Sequence, residues 1–503
     1  MKRLSLLALA AAAASAAPAA APCTMPAARP PPGERRFVSA SVEALLASYV
    51  PRFKDPNLGM LFANTLPNTL DTTGAAAAGG GSPAAARVRA DAHARAATVL
   101  SHVPGPPADS FVITGDIPAS WLRDSANQVW PYLRFVREDA ALASLVAGVV
   151  RRSAANVLRC PYCNAFNADA TKPGDHADDA TKPDQSRNNW VFEAKYEVDS
   201  LANVLRLSSA YYNASGGDSA PFDAQWLQAV RLITSTFRAQ QAGSREEDAS
   251  GGPPYTFQRN TPQPSDSLLH GRGAPAARTG MLKSAFRASD DAVVCAFNIP
   301  ENAFAAVALS AVAALLSQLG HAAEAAEAAS LAADIRAGIA AHGVMAHPLT
   351  KRAVYAYEVD GFGNSYFMDD ANIPSLLALP IFGWCSAADP LYAATRDAVL
   401  SGASNPYFMR GAAGEGIGGP HVGWPMIWPI SVAARAWTAV SDAEIAAQLA
   451  MLVDSSACTG FIHESFDRDD ASVYTRPWFA WANSFFADTI LKIADERPHL
   501  IFK

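Results

Sequence analysis

Acids and tryptophans, set in short segments between apolar runs, are the residues of this sequence whose types and spacing suit chemistry. The first group is Thr114-Gly-Asp116-Ile-Pro-Ala-Ser-Trp121-Leu-Arg123-Asp124-Ser125, with Gln128 and Tyr132 just after it. An indole face beside an arginine and carboxylates offers an apolar platform with donors and acceptors at its edge. That is what the C–H face and the hydroxyls of a sugar require. The plainer reading of the same residues is an Asp-capped helix start with an Arg–Asp surface pair. The second group, Glu193-Ala-Lys195-Tyr196-Glu197-Val-Asp199-Ser200, has a near-repeat at Tyr357-Glu358-Val359-Asp360. Alone it reads as a solvated helix face with charge pairs at four-residue spacing; the repeat suggests equivalent rim positions.

Two pairs of adjacent aspartates follow, in Phe286-Arg287-Ala288-Ser289-Asp290-Asp291-Ala292 and in Phe367-Met-Asp369-Asp370-Ala-Asn372. Acids ahead of a helix often serve as caps or favour its dipole. The helix after Asp291 begins about ten residues later, too far for that role. The remaining groups are Gly416-Ile-Gly418-Gly419-Pro420-His421 with Trp424 and Trp428, and Gly460-Phe-Ile-His463-Glu464-Ser465-Phe466 followed by Arg476-Pro477-Trp478-Phe479-Ala-Trp481.

Several chemistries are disfavoured by what these groups lack. No Gly-Lys-Ser/Thr continues the glycines before His421, so a phosphate cradle is not formed. His463-Glu464 has no second histidine at the spacing of a zinc-binding helix, and the aspartate pairs do not follow the twelve-residue calcium loop. No Gly-x-Ser-x-Gly elbow presents a serine nucleophile. Two carboxylates flanking a glycosidic bond, one protonated and one ionised, are the chemistry that this inventory fits.

The elements that must position these groups are helical. Residues 301–320 carry an apolar face at three- and four-residue spacing and stop at Gly320; a second such run ends at Gly343. Together they predict two helices joined by a tight turn. Similar patterns predict helices over 139–158, 197–212, 223–240, 390–401, 430–439, 442–454 and 480–494, and alternating strand-like runs are few. Half of the 503 residues are hydrophobic and 17% are charged, enough apolar material for a large core. The net charge of −7 gives no basic footprint, which argues against a nucleic-acid partner.

Residues 1–21 have a basic start, a short apolar run and small residues, the pattern of a cleavable signal peptide. The run is too short for a stable membrane span, so the expected location is secreted or the lumen of the secretory pathway. Residues 22–36, rich in Ala and Pro, predict a disordered segment, and 37–503 a single domain. Stretches near 74–86, 165–189 and 242–280 read as loop insertions. Six cysteines permit disulfides in an oxidising compartment; Cys160-Pro-Tyr-Cys163 suits a local disulfide or two buried thiols. Asn213-Ala-Ser215 is one glycosylation acceptor.

Read together, TGDIPASWLRDSANQVWPY, KYEVDSL, FRASDDA with IPENAF, YEVDGFGNSYFMDDANIPSLLALP, GIGGPH and GFIHESF with TRPWFAWANSFF resemble glycoside hydrolase family 125. That family comprises exo-α-1,6-mannosidases, including fungal proteins described as meiotically up-regulated. The resemblance runs from about residue 38 to the C-terminus. It implies an all-α (α/α)6 toroid, a six-hairpin barrel whose long loops form a pocket for a terminal mannose on an oligosaccharide or a glycoprotein glycan. It also implies inversion, no metal and no cofactor. By the same resemblance Glu464 is the general base and Asp291 the general acid, with Asp290 as the alternative acid. Sugar-contacting roles carry over to Trp121, Arg123, Asp124, Asp369, Asp370, His421 and His463. Ala288 stands where the family pattern has proline, and the insertions reshape the sites beyond the first sugar.

Two rival readings keep the helical architecture or the ligand but change the activity. A glucoamylase-like hydrolase or a sugar epimerase would use the same barrel; an epimerase relies on paired basic groups, for which only His421 and His463 are at hand in these segments. A non-catalytic mannan-binding protein would need neither carboxylate.

Overall fold

In a computed structural model of the protein, residues 23–71 and 100–503 are described. The expected signal peptide and the stretch near 74–86 lie outside them. The described residues are predominantly helical: α1 (Ala40–Tyr49), α2 (Pro56–Thr65), α3 (Leu122–Val129), α4 (Ala140–Arg159), α5 (Val198–Ser215), α6 (Ala224–Gln240), α7 (Ile299–Gln318), α8 (Ala322–Gly338), α9 (Pro390–Val399), α10 (Pro429–Thr438), α11 (Asp442–Asp454) and α12 (Ala480–Glu496).

Their boundaries follow local chemistry. Asp139 accepts the Ala141 and Leu142 amides at the start of α4, Asp223 caps α6, and Ser441 caps α11. Asn298 accepts the Glu301 amide, with Pro300 in the first turn of α7. Each such cap satisfies an orphan N–H and contributes about 1 kcal/mol. At the far end of α5, Gly216 takes the left-handed conformation at φ 79° that terminates the helix.

Consecutive helices pack as pairs: α7 against α8, α10 against α11, α4 against α5 and α6. A second set of contacts runs between the pairs, α3 to α5, α5 to α7, α10 to α12, and α12 back to α3 and α2. Phe304 of α7 meets Phe382 edge-on at 5.2 Å, which ties the turn-rich segment 373–383 to α7. Helices α4 and α7 are long and apolar enough to cross a membrane, but 61% and 78% of their apolar windows are buried within the protein, as core helices would be.

Small antiparallel sheets stand at the N-terminal ends of several helices. Ser120–Trp121, Ala165–Phe166 and Val191–Glu193 form one, immediately before α3 and α5; Phe297–Asn298, Glu358–Val359 and Ser365–Tyr366 form a second, before α7. Met426–Ile427, Ser465–Asp467 and Tyr474–Thr475 form a third, before α10. The polar motifs fall in these strands and the loops beside them. The Tyr-Glu-Val-Asp near-repeat gives its glutamate an arginine partner at both places: Glu197 pairs with Arg123 at 2.8 Å and Glu358 with Arg287 at 2.6 Å, all four buried.

The N-terminal segment corrects the sequence reading. From Cys23 onward, residues read as disordered are docked on the body. Cys23 is disulfide-bonded to Cys458, Met25 and Ala28 are buried, and Arg29 reaches Asp71 at 2.7 Å. Ala/Pro composition predicts weak local structure, but a covalent tie across 435 residues and a buried ion pair are tertiary and leave no local signal. A second disulfide joins Cys160 to Cys163. Disulfides of this kind fit an oxidising compartment.

Candidate active site

Helix α3 begins at Leu122 with Trp121 as its N-cap, so Arg123 and Asp124 occupy its first turn. The Arg123 guanidinium is 3% exposed and sits among carboxylates. Nη1 donates to Glu197 Oε2 at 2.8 Å and Nη2 to Asp290 Oδ1 at 3.1 Å, while Asp124 lies 3.4 Å from Nε. Asn164 Nδ2 reaches Glu193, Glu197 and Asp290 at 2.9, 3.2 and 3.4 Å. Desolvation is the largest influence on this cluster. It pushes Glu197 well above the ordinary carboxylate range, despite Arg123. At Asp290 burial pulls the same way but is outweighed by Arg123, a hydrogen bond from Glu197, Lys195 and His421, so its carboxyl is held below the usual range. One proton therefore resides on this pair, on the Glu197 side.

Asp290 sits in a tight turn, its amide donating to the Arg287 carbonyl at 2.8 Å, with φ at 65°. A non-glycine residue in that left-handed region is uncommon and persists where its surroundings hold it. Glu464, which lines the same cavity, immediately precedes the Ser465–Asp467 strand. Arg476 Nη1 donates to Glu464 Oε1 at 3.1 Å, and the same guanidinium is bound from its other side by Asp116 and covers the Phe479 ring at 4.6 Å.

Asp290 and Glu464 line one cavity of about 80 Å3, with Trp121, Arg123, Asp124 and His421 also in its wall. Four buried polar atoms of lining residues meet no partner among the described residues, Thr114 Oγ1, Trp121 Nε1, Ser289 Oγ and Trp428 Nε1, while Arg123 Nε and Asp124 Oδ2 have only their 3.4 Å ion pair with each other. Buried polar groups are nearly always paired, so a convergence of orphans marks where a polyhydroxyl ligand would bond. A larger cavity of about 660 Å3 opens beside the 242–280 loop. Its acids Glu247 and Asp248 are tied to Lys283 and Arg272.

Residues 55–491 match the family model of metal-independent alpha-mannosidases, GH125. The chain belongs to glycoside hydrolase family 125. Membership makes it a glycoside hydrolase of the α-mannosidase kind. The meiotically up-regulated gene 157 protein of Schizosaccharomyces pombe is 41% identical over 491 residues, covering 95% of this chain and 90% of the relative. A solved family 125 structure, a metal-independent α-mannosidase of Streptococcus pneumoniae in a non-productive complex with α-1,6-mannobiose, superposes with a TM-score of 0.80. It is 35% identical and covers 92% of this chain and all of its own.

Within this family 125 chain the residues singled out from sequence divide. Trp121, Arg123, Asp124, Asp290, His421 and Glu464 share the cavity wall. Asp291 does not line it: the side chain is 1% exposed, 3.7 Å from His421 Nδ1, with Oδ2 lacking a partner, and burial pushes its carboxyl up. Asp369 is fully buried and accepts the Leu376 and Leu377 amides at 2.8 and 2.9 Å, which shapes the chain there. Asp370 accepts the Asn372 amide and packs under Gly419, where a Cβ would stand 3.1 Å from its Oδ2. His463 is sealed off, stacked on Tyr474 at 3.8 Å with its ring nitrogens against the Arg476 and Ser456 carbonyls. Arg476, Asn372, Trp428, Phe479 and Trp481 line the cavity without having been given roles from sequence. Four lie inside the quoted motifs and Trp428 follows one of them, so motif membership was the available signal; side-chain direction was not.

Proposed function

We propose that the chain is an inverting, exo-acting α-mannosidase that removes terminal, non-reducing α-1,6-linked mannose from glycans. The observation that carries this reading is the single cavity whose wall holds both Asp290 and Glu464 together with four unpartnered polar atoms. Helix pairs whose contacts run from α3 through α5 and α7, and from α10 through α12 back to α3, support closure into an (α/α)6 toroid.

In the proposed reaction Asp290 protonates the departing glycosidic oxygen. The acid is assigned to Asp290 and not to its neighbour because only Asp290 shares the cavity with Glu464. At rest the proton of the pair is on Glu197; it passes to Asp290 through their mutual hydrogen bond before Asp290 gives it to the oxygen, and Glu197 is left ionised beside Arg123 at 2.8 Å. Glu464 takes a proton from a water that attacks the anomeric carbon on the opposite face, and Arg476 is its charge partner. Attack opposite the leaving group inverts the anomeric centre.

The relative crystallised with α-1,6-mannobiose supports that linkage as the one to test. Incubation with α-1,6-mannobiose should release mannose, with the β-anomer first in NMR spectra of fresh product. Glu464→Gln should lower turnover by about 10²–10⁴-fold while sugar binding persists. No release from the disaccharide, or α-anomer appearing first, would defeat the proposal. The epimerase reading loses its basic pair, since His421 lines the cavity and His463 is sealed away from it. Both disulfides, and an exposed Asn213 in its Asn-Ala-Ser triplet, support passage through the secretory pathway.

A further inference from the structure

The two long loops at 165–189 and 242–280 meet each other, and they meet at the turn that carries Asp290. Ala180–Lys182 of the first pairs antiparallel with Thr256–Gln258 of the second, Thr181 opposite Phe257. Arg259, the next residue, spans both loops and the barrel: it binds Asp179 at 2.6 Å, Glu193 at 2.8 Å and Asp266 at 3.0 Å. Asp266 in turn accepts from Lys195 Nζ at 2.6 Å, and the same ammonium donates to the Asp290 carbonyl oxygen at 2.7 Å. On the other side of the turn, the Ser265 carbonyl accepts the Ala292 amide at 2.7 Å.

Charges are seldom buried unless geometry and partners are fixed. Here Lys195, Glu193 and Asp179 have side chains 3–5% exposed, and Arg259 is 11% exposed. Surface loops that served only to extend a rim would not need to bring two charges, Asp179 and Arg259, inside beside Glu193 and Lys195. The turn they reach is the one that needs holding, since Asp290 sits at φ 65° and its carboxyl must point into the cavity.

We propose that Lys195, clamped by Asp266 and Arg259, is a positioning residue that aims the Asp290 carboxyl at the glycosidic oxygen, and that the paired long loops exist in part to build this clamp. The inference rests on Asp290 being the proton donor. It has a distinctive consequence. A misdirected acid slows departure of a sugar, whose oxygen needs a proton, but not departure of 2,4-dinitrophenolate, which leaves without one.

The test compares α-1,6-mannobiose with 2,4-dinitrophenyl α-mannoside in Asp266→Asn, an isosteric change at a side chain 25% exposed. The expected result is a kcat on the disaccharide reduced roughly tenfold, KM and melting temperature near wild type, and the aryl mannoside turned over within about twofold of wild type. Lys195→Met should repeat the pattern more strongly, and Asp266→Glu should recover part of the loss. Equal loss on both substrates, or no loss on the disaccharide while Asp290→Asn abolishes it, overturns the clamp and leaves the acid assignment standing. Wild-type hydrolysis of the disaccharide by Asp290→Asn overturns the acid assignment itself.

Discussion

Arg476 and Glu464 are joined by a hydrogen bond of 3.1 Å, although twelve residues separate them and the arginine sits at φ 47°. Asp116 holds the other side of the guanidinium, so one cation spans the proposed base and a second carboxylate.

That bridge needs a planar fork, which lysine cannot reproduce. Arg476→Lys is expected to lower kcat on α-1,6-mannobiose by about 10–100-fold, with KM changed less than about threefold. Steady-state kinetics check this; a variant with wild-type kcat would free Glu464 from any dependence on Arg476.

Neighbouring aspartates with opposite surroundings should respond differently. Asp290→Asn is expected to reduce disaccharide hydrolysis by about 10²–10⁴-fold with little change in melting temperature. Asp291→Asn, at a side chain 1% exposed, should act mainly on stability. The paired measurement is activity beside thermal unfolding for both variants, and a reversed pattern returns the acid to Asp291.

Asp124 makes stability depend on pH. Burial pushes its carboxyl up to about 6, against the pull of Arg123. In the unfolded chain the value is about 4. Between these the folded state keeps a proton that the unfolded state has released, so the stabilisation is fully present below about pH 4 and lost as pH rises through about 6. Asp124→Asn should remove that slope, gaining about 3 kcal/mol relative to wild type between pH 4 and pH 7. Denaturant unfolding at several pH values tests it; parallel stability curves for the two proteins would contradict it.

The Cys23–Cys458 tie holds the N-terminal segment beside the loop that leads to Glu464, where Asn64 also bridges Pro26 and Gly460. Cys458→Ser is expected to cost about 2–4 kcal/mol of stability and to open residues near 23–30 to proteolysis. An unchanged unfolding midpoint together with unchanged cleavage would show the contacts of Met25, Ala28 and Arg29 to be sufficient.

Helix positions were legible from the sequence because they depend on local terms. Apolar spacing predicted 223–240 and 442–454, and α6 and α11 span Ala224–Gln240 and Asp442–Asp454, each capped by the residue just before it. Helix α3 was not predicted, since its residues Leu122–Val129 are mostly polar and are buried by tertiary packing. The motif segments and their chemistry were legible too, as Trp, Arg, Asp and Glu concentrate at the sheet-flanked starts of the helices.

Most of the helices, the motif groups and the family are thus written in residue type and near-neighbour spacing. Which member of each motif faces the cavity is settled by long-range packing. Asp290 lines it while Asp291 turns inward, because one left-handed residue redirects consecutive side chains. Asp369 and His463 are spent on backbone amides, carbonyls and packing, Asp370 accepts the Asn372 amide through one oxygen and leaves the other unpaired, and Arg476 reaches Glu464 only because two strands pair. The loops at 165–189 and 242–280, read as insertions, join through Arg259 and end on the Asp290 carbonyl. Such direction and long-range pairing depend on atoms far apart in the chain, for which no local pattern exists.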